Sequence, residues 1–422
     1  MDKVVIVGSG PAGSMCSYFL QKKGIDTLIL EKYSHPKHKP CAGGISKMAM
    51  DLIPFQINSN VIETEIQGFR LISPKFESFT FPVEESKGII VKRSPFDKFL
   101  CEKAKDAGAE LIERVHPKSI TSDNGKYNIT LSNGRELKSR YIIGADGILS
   151  SVAKLAKIRK IPLEQKGYAY QTFVPMSREE MNSFMLSDKS FLEIHINKMP
   201  MGYGWIFPNS DGLNIGVGGS VTEIIKESRL GINHMANFLK LLEESRNNKF
   251  TLKPEKIYAA LLPAGGYNRT IASNNILLIG DAAGFVDSFA GEGIYYAIAS
   301  GKCAAESILK NNALEDNSTV AANYEKQIKV TFQDNLDRSL KFSYRLHDNL
   351  DLFFKAMKYL PEATSVFAEL AGGKGYKWAN RFFMSRIFKI LRRSMFTKIG
   401  LWRDKTDIYC KDFRELSSEK IQ

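Results

Sequence analysis

Gly8-Ser9-Gly10-Pro11-Ala12-Gly13 repeats glycine as GxGxxG, directly after the β-branched run Val4–Val7 and directly before a segment of helical character. In that context each glycine has a physical reason. Gly8 permits a tight turn, Gly10 lets backbone approach a pyrophosphate, and Gly13 lets a helix pack closely on a strand. Pro11 and Ala12 open the helix, where free N–H groups and the partial positive charge of the helix end attract phosphate. Glu31 stands at the end of the next apolar run, about 20 residues on, where a carboxylate accepts hydrogen bonds from an adenosine ribose. An acid there disfavours a 2′-phosphate, so NADP is not the expected ligand. The fingerprint alone fits NAD or FAD.

These groups need a βαβ unit to hold them. Strands are expected at Val4–Val7 and Thr27–Leu30, with a helix over 14–23 between them. A further helix is expected over 94–107, with Ser94 as N-cap and Pro95 in its first turn. Strands follow over 111–115, 127–131 and 141–143, with a turn at Asn133-Gly134. From about 167 to 264 strand-like segments dominate, over 168–174, 190–196, 204–208 and 213–218, with a turn at Asp211-Gly212. One helix, over 231–246, interrupts them. An apolar strand over 275–279 then runs into Gly280-Asp281 and a long helix after Gly293.

The chain has 422 residues, enough for two packed domains, and its hydrophobic and charged fractions, 43% and 25%, are those of a globular protein. Its five cysteines, Cys16, Cys41, Cys101, Cys303 and Cys410, are scattered and form no CxxC pair. No metal site is expected, zinc and iron–sulfur included, and the reading is of a reducing, cytoplasmic protein. The opening residues do not read as a signal peptide, and no run approaches the length of a membrane span. The net charge is +13. It fits an anionic lipid surface, a diphosphate substrate, an acidic protein partner or a solvated basic face. No recognition module accompanies it, which argues against nucleic acid.

Two later segments separate FAD from NAD. Gly144-Ala145-Asp146-Gly147 and Ile279-Gly280-Asp281-Ala282-Ala283-Gly284 supply a DG and a GD segment. With the fingerprint, they make the chain resemble the flavoprotein hydroxylase and reductase superfamily. That resemblance implies FAD as cofactor. Asp281 would hold the ribityl chain. Gly291-Glu292-Gly293-Ile294 would aim N–H groups at the flavin N1–O2 edge. Arg93 would lie near the flavin and its pyrophosphate, and Val115 beside the adenine. Two more segments, Lys39-Pro40-Cys41-Ala42-Gly43-Gly44-Ile45 and Pro200-Met201-Gly202-Tyr203-Gly204-Trp205-Ile206-Phe207-Pro208, resemble the geranylgeranyl reductase family. The second fits the pattern PxxYxWxFP. The resemblance spans about residues 1–310.

It implies an α/β fold (α+β overall). A Rossmann-type FAD-binding domain would cover 1–165 and 265–310, with segment 41–92 facing the flavin. An antiparallel-sheet substrate domain over 166–264 would be inserted into it, and 311–422 would be helical. It also implies hydride transfer from reduced FAD to a prenyl double bond, with protonation of the other carbon. Cys41 would be catalytic, beside the flavin and the alkene, with Ala42 and Gly44 leaving room at the ring. Tyr203 and Trp205, on one strand face, would pack against the isoprenoid chain with their polar tips toward a headgroup or water. The substrate would be an isoprenoid membrane lipid or a prenyl diphosphate, and the electron donor NADPH or a ferredoxin-like protein. An aromatic hydroxylase, a quinone-linked dehydrogenase and a non-catalytic flavin module are the competing readings. Over 381–403, seven cations alternate with large apolar residues and no acid intervenes. That pattern fits either an interfacial helix on anionic lipid, placing the protein peripherally on the cytoplasmic membrane face, or a helix packed on the core with its basic face in water.

Overall fold

A computed structural model describes residues 3–83, 86, 88–158, 160–196, 201–226, 231–313 and 319–360, together with 363, 367, 370, 376 and 410–412. The basic stretch 381–403 lies outside the described residues, as does Pro200.

Strand Val4–Val7 (β1), helix Pro11–Gln21 (α1) and strand Thr27–Leu30 (β2) form the expected βαβ opening. The helix begins at Pro11, three residues before the apolar periodicity does, because proline fits a first helical turn that needs no N–H. β1 and β2 pair in parallel and every residue of both is buried. Buried on both faces, such strands read as unbroken apolar runs. The sheet has six strands in the order 272–273, 276–278, 142–144, β1, β2, 110–112. All pairs are parallel except the edge pair 272–273 with 276–278. Chain order reverses on either side of β1, so the crevice beyond its carboxyl end is the topological switch point where such folds bind ligands. Helix Ile294–Ala313 packs against α1, and Gly301 lets the two approach: a Cβ there would lie 2.7 Å from the Ala12 carbonyl oxygen.

A second sheet has eight strands, in the order 258–263, 166–175, 212–220, 203–208, 191–195, 68–72, 77–82, 410–412. It corrects one expectation and adds detail to two others. It is not built from 166–264 alone, because Gly68–Ile72 and Glu77–Pro82 come from segment 41–92. It is mostly antiparallel, with one parallel pair, Phe191–His195 with Gly68–Ile72. Beyond 311, the described residues include one strand, Cys410–Asp412, which pairs with Glu77–Pro82. Alternation within one strand carries no information about which distant segment lies beside it.

Two helices here were not anticipated, Arg178–Met185 and Val221–Lys226. The first carries a readable signal, a capping box in which Ser177 and Glu180 satisfy each other's backbone N–H groups. Helix Arg93–Asp106 also corrects its expected start: Lys92 is the N-cap, with no side-chain bond, and Ser94 lies inside the helix. Starting one residue earlier places Arg93 one turn from Asp97, and the buried guanidinium donates to both carboxylate oxygens, at 2.9 and 2.8 Å. Among the described residues, no helix is long and apolar enough to cross a membrane.

Candidate functional site: a dinucleotide crevice lined by cysteine, aromatics and two acids

The crevice begins where β1 ends. Gly8 has φ of +106°, and a Cβ there would overlap the carbonyl of Ala145, at the end of the neighbouring strand. A Cβ on Gly13 would lie 1.9 Å from the Gly8 carbonyl oxygen. These two glycines are required by protein against protein. Gly10 differs: a Cβ on it would meet no protein atom within 4 Å. Gly10 is also the N-cap of α1, no side chain caps the helix, and no acid lies in its first turn. Uncapped N–H groups facing open space suit a pyrophosphate, so the residues present fit a dinucleotide.

Glu31 follows β2 and is buried. It accepts from the Ser9 amide (2.9 Å), the Ser9 hydroxyl (2.7 Å) and the Tyr33 amide (3.0 Å), and pairs with Lys37. Burial alone would raise its pKa. The Lys37 charge and the hydrogen bonds from Lys37 and Ser9 outweigh that and hold it at about 2, so Glu31 is an acceptor at neutral pH. Val115, also buried, donates its amide to the Glu31 carbonyl at 2.9 Å and so lies beside this acid. Asp281 sits in the turn Gly280–Ala282, just after strand Ile276–Leu278, and Lys39 donates to it at 2.9 Å. Glu31 and Asp281 are therefore three strands apart, roughly 14 Å at the usual spacing, on opposite sides of β1. An extended dinucleotide spans such a gap. Lys37 and Lys39, two residues apart on one loop, reach both acids. Neither lysine was assigned a role from the sequence, although Lys39 opens the family-like segment 39–45 and a cationic run begins at Lys37.

The DG aspartate, Asp146, has a local partner set. It accepts from Ser150 (2.5 Å), from the Ser151 amide (2.6 Å) and hydroxyl (2.7 Å) and from the Val152 amide (3.2 Å), tying down the start of helix Ser151–Leu155.

Cys41, Arg93, Tyr203 and the turn 287–293 converge. Sγ of Cys41 accepts from the Gly43 amide at 3.4 Å and lies close to the Arg93 guanidinium. Burial opposes the Arg93 charge, but Asp97 and Cys41 more than offset it, and the guanidinium stays charged. Gly43, with φ of +86°, abuts the backbone of Val91, so its glycine is demanded by the strand pairing. A Cβ on Gly44 would touch the ring of Phe207 at 3.4 Å, while Ala42 is half-buried beside Cys41. The Asn214 side chain donates to the Cys41 carbonyl at 3.4 Å.

Tyr203 and Trp205 lie on one strand, Tyr203–Pro208, with ring centroids 6.3 Å apart in a T-shaped contact. Their polar tips do not face a headgroup or water. The Tyr203 hydroxyl donates to the Ala290 carbonyl at 2.8 Å, and Trp205 Nε1 donates to Asn214 Oδ1 at 2.9 Å. The indole lies over Gly216, its partner across the ladder, whose missing side chain makes room for it. Burial raises the Tyr203 pKa, and the nearby Asp287 and Cys41 add to the shift.

Gly291, with φ of +69°, lies under Tyr203; a Cβ there would fall 2.4 Å from the hydroxyl. Gly293 lies beside Asp281, whose Oδ1 is 3.7 Å from where its Cβ would be, and the helix starts at Ile294. Asp287 holds the turn and was not singled out in the sequence. It is buried and accepts from the Phe289 and Ala290 amides (2.9 and 2.7 Å), Ser339 (2.5 Å) and Tyr376 (2.8 Å). Glu292 bonds with Ser46, on the strand after Cys41.

A crevice with this cradle, at the switch point of this sheet, belongs to an FAD-binding flavoprotein, and the model of the FAD binding domain family matches residues 1–311. The chain is 30% identical over 362 residues to the digeranylgeranylglycerophospholipid reductase of Methanococcus vannielii, covering 82% of this chain and 87% of that protein. With the reductase of the same name from Methanocaldococcus jannaschii, identity is 30% over 369 residues, 84% and 90% of the two chains. The chain belongs to this geranylgeranyl reductase family of FAD-dependent oxidoreductases. The fold alone is shared with the crystal structure of a geranylgeranyl bacteriochlorophyll reductase-like protein from Thermoplasma acidophilum (TM-score 0.72, 24% identity, 84% and 91% coverage). It is shared almost as closely with a flavin-dependent brominase (TM-score 0.71, 20% identity, 93% and 100% coverage), so fold does not select the reaction.

Proposed function

We propose that the chain saturates double bonds of geranylgeranyl chains, carried on archaeal-type diether lipids or prenyl diphosphates. The names of its 30%-identical relatives support this reading, and one structural observation carries it: Tyr203 bonds the turn that follows Asp281, where a flavin ring would lie, with Trp205 packed on its ring and Cys41 close to it. Reduced FAD, when bound, supplies a hydride to one alkene carbon. The chain's own residues do the rest. Backbone at Gly8, Gly10, Pro11, Ala12 and Gly13 holds the pyrophosphate, Glu31 the adenosine ribose, and Asp281 the ribityl chain. Val115 lies at the adenine, and Arg93 near the flavin. Ala42 and Gly44 leave room on one side of the ring, and Gly291, Gly293 and Ile294 meet its pyrimidine edge. Cys41 stands at the reacting bond. An isolated alkene is a poor hydride acceptor, so catalysis rests on near-attack placement and on excluding water. Because their polar tips are satisfied internally, Tyr203 and Trp205 offer the prenyl chain apolar ring surface. NADPH or a ferredoxin-like protein is proposed to reload the flavin, and the cytoplasmic face of a membrane to present the lipid. Mass spectrometry of lipids from cells expressing the chain tests the reading. Prenyl lipids should gain two hydrogens per saturated bond; an unaltered lipid profile in cells that make flavin-loaded protein would refute it.

A further inference from the structure

Reduction of an alkene by hydride also requires a proton, and the sulfur of Cys41 is poorly placed to give one. It accepts from the Gly43 amide at 3.4 Å and sits beside the Arg93 guanidinium. A different acid stands in the turn that touches Tyr203. Glu292 lies between Gly291, which touches Tyr203, and Gly293, which abuts Asp281. Its carboxyl oxygen receives the Ser46 hydroxyl, from the strand that begins three residues after Cys41. Its carbonyl is fixed by the Asp287 amide at 2.8 Å. The carboxyl is thus held on the strand that follows the cysteine segment, while its backbone belongs to the turn after the ribityl acid.

We propose that Glu292 is the proton store of this site: its carboxyl gives a proton to the alkene carbon that does not receive the hydride. The O–H bond of Glu292 breaks and a C–H bond forms. The electron pair comes from reduced FAD, which is oxidised as the alkene is reduced. The carboxylate left behind regains its proton from solvent by way of Ser46. The electrostatics agree with the geometry. Burial lifts the Glu292 carboxyl to about 7, the Ser46 hydrogen bond pulls it down, and the neighbouring Asp287 charge pushes it up. Tyr295 and Tyr296, the other titratable groups facing it, are themselves raised by burial and remain neutral. Glu292 is therefore protonated below about pH 7 and loses its proton above it, so the store empties as pH rises.

The assignment rests on the reductase reading for its final acceptor, but its first test needs no prenyl substrate. The reduction potential of the bound FAD is measured against pH in the wild-type holoprotein and in Glu292→Gln, Glu292→Asp and Ser46→Ala. A carboxyl beside the flavin couples its proton to flavin charge, so wild type should show a change of slope near pH 7. Glu292→Gln should lose it, Glu292→Asp should retain one, and Ser46→Ala should move it upward, because the hydroxyl's share of the lowering is gone while the Ser46 backbone's remains. Turnover with a prenyl lipid should fall about tenfold per pH unit above 7 in wild type and more than tenfold at all pH in Glu292→Gln. A slope change unaltered in Glu292→Gln and unmoved in Ser46→Ala overturns the proposal. If Glu292→Gln does not retain FAD, the Ser46→Ala shift decides alone. A slope change that behaves as stated, without prenyl turnover in wild type, refutes the substrate reading and leaves Glu292 as the proton-coupled group of the flavin site.

Discussion

Two alanine substitutions three residues apart, Gly10→Ala and Gly13→Ala, should separate cofactor binding from folding. Gly13→Ala places a methyl 1.9 Å from the Gly8 carbonyl oxygen and 3.1 Å from the Ala145 side chain. Backbone stands on one side and the Ala145 methyl on the other, so α1 must lift from β1; overpacking of this kind costs about 3 kcal/mol or more. Gly10→Ala meets no protein atom within 4 Å, and the φ of −74° and ψ of −177° at Gly10 suit alanine. Losing glycine at an N-cap costs about 0.5–1 kcal/mol, and reduced freedom of the unfolded chain returns a similar amount. The apoprotein should therefore keep its stability within about 1 kcal/mol. What the methyl can meet is a bound pyrophosphate. Displacing it from the helix N–H groups removes at least one charge-assisted hydrogen bond, about 2 kcal/mol, so FAD affinity should fall roughly 30-fold. Urea unfolding of the two apoproteins and fluorescence titration with FAD read the two effects apart. Wild-type FAD affinity in Gly10→Ala, or wild-type stability in Gly13→Ala, would refute the reasoning about this cradle.

Three further outcomes follow from the same geometry. Glu31→Gln should weaken FAD binding ten- to a hundredfold by titration. It should also flatten the acid unfolding of the apoprotein: the folded pKa of about 2 lies below the ordinary 4.5, so Glu31 contributes about 3 kcal/mol above pH 4.5, lost as pH falls through 2. Trp205→Ala should cost about 3–5 kcal/mol in urea melts, because the buried indole leaves a cavity and Asn214 loses a donor. Trp205→Phe should fold and keep the flavin spectrum; prenyl-lipid binding reduced as far in Phe as in Ala would contradict an apolar ring-surface role. Cys41→Ala should retain FAD and lose at least tenfold in prenyl turnover, and unchanged turnover would remove the thiol from the reaction.

The cradle was legible in the sequence because its demands are local: Gly8, Gly10, Gly13 and the strand ends that set Glu31 and Asp281 are each fixed by a few neighbouring residues. Side-chain partners were not. That Trp205 Nε1 finds Asn214, or that Tyr203 finds Ala290, depends on strand register and on a turn far away in the chain. Periodicity could not show that Gly68–Ile72 and Glu77–Pro82 complete the second sheet, since strand pairing is set by three-dimensional packing rather than by pattern. Asp287 escaped notice for a similar reason: its partners Ser339 and Tyr376 lie far along the chain. Lys39 opened the family-like segment 39–45 and Lys37 drew no role until the fold put them on the two acids.

The most direct test of the central claim is an anaerobic single turnover. Holoprotein carrying chemically reduced FAD is mixed with a digeranylgeranyl lipid in the absence of oxygen. The yellow colour of oxidised flavin should return at a rate that saturates with lipid, with two hydrogens appearing in the prenyl chain per flavin oxidised. Flavin that stays reduced until air is admitted would contradict the account.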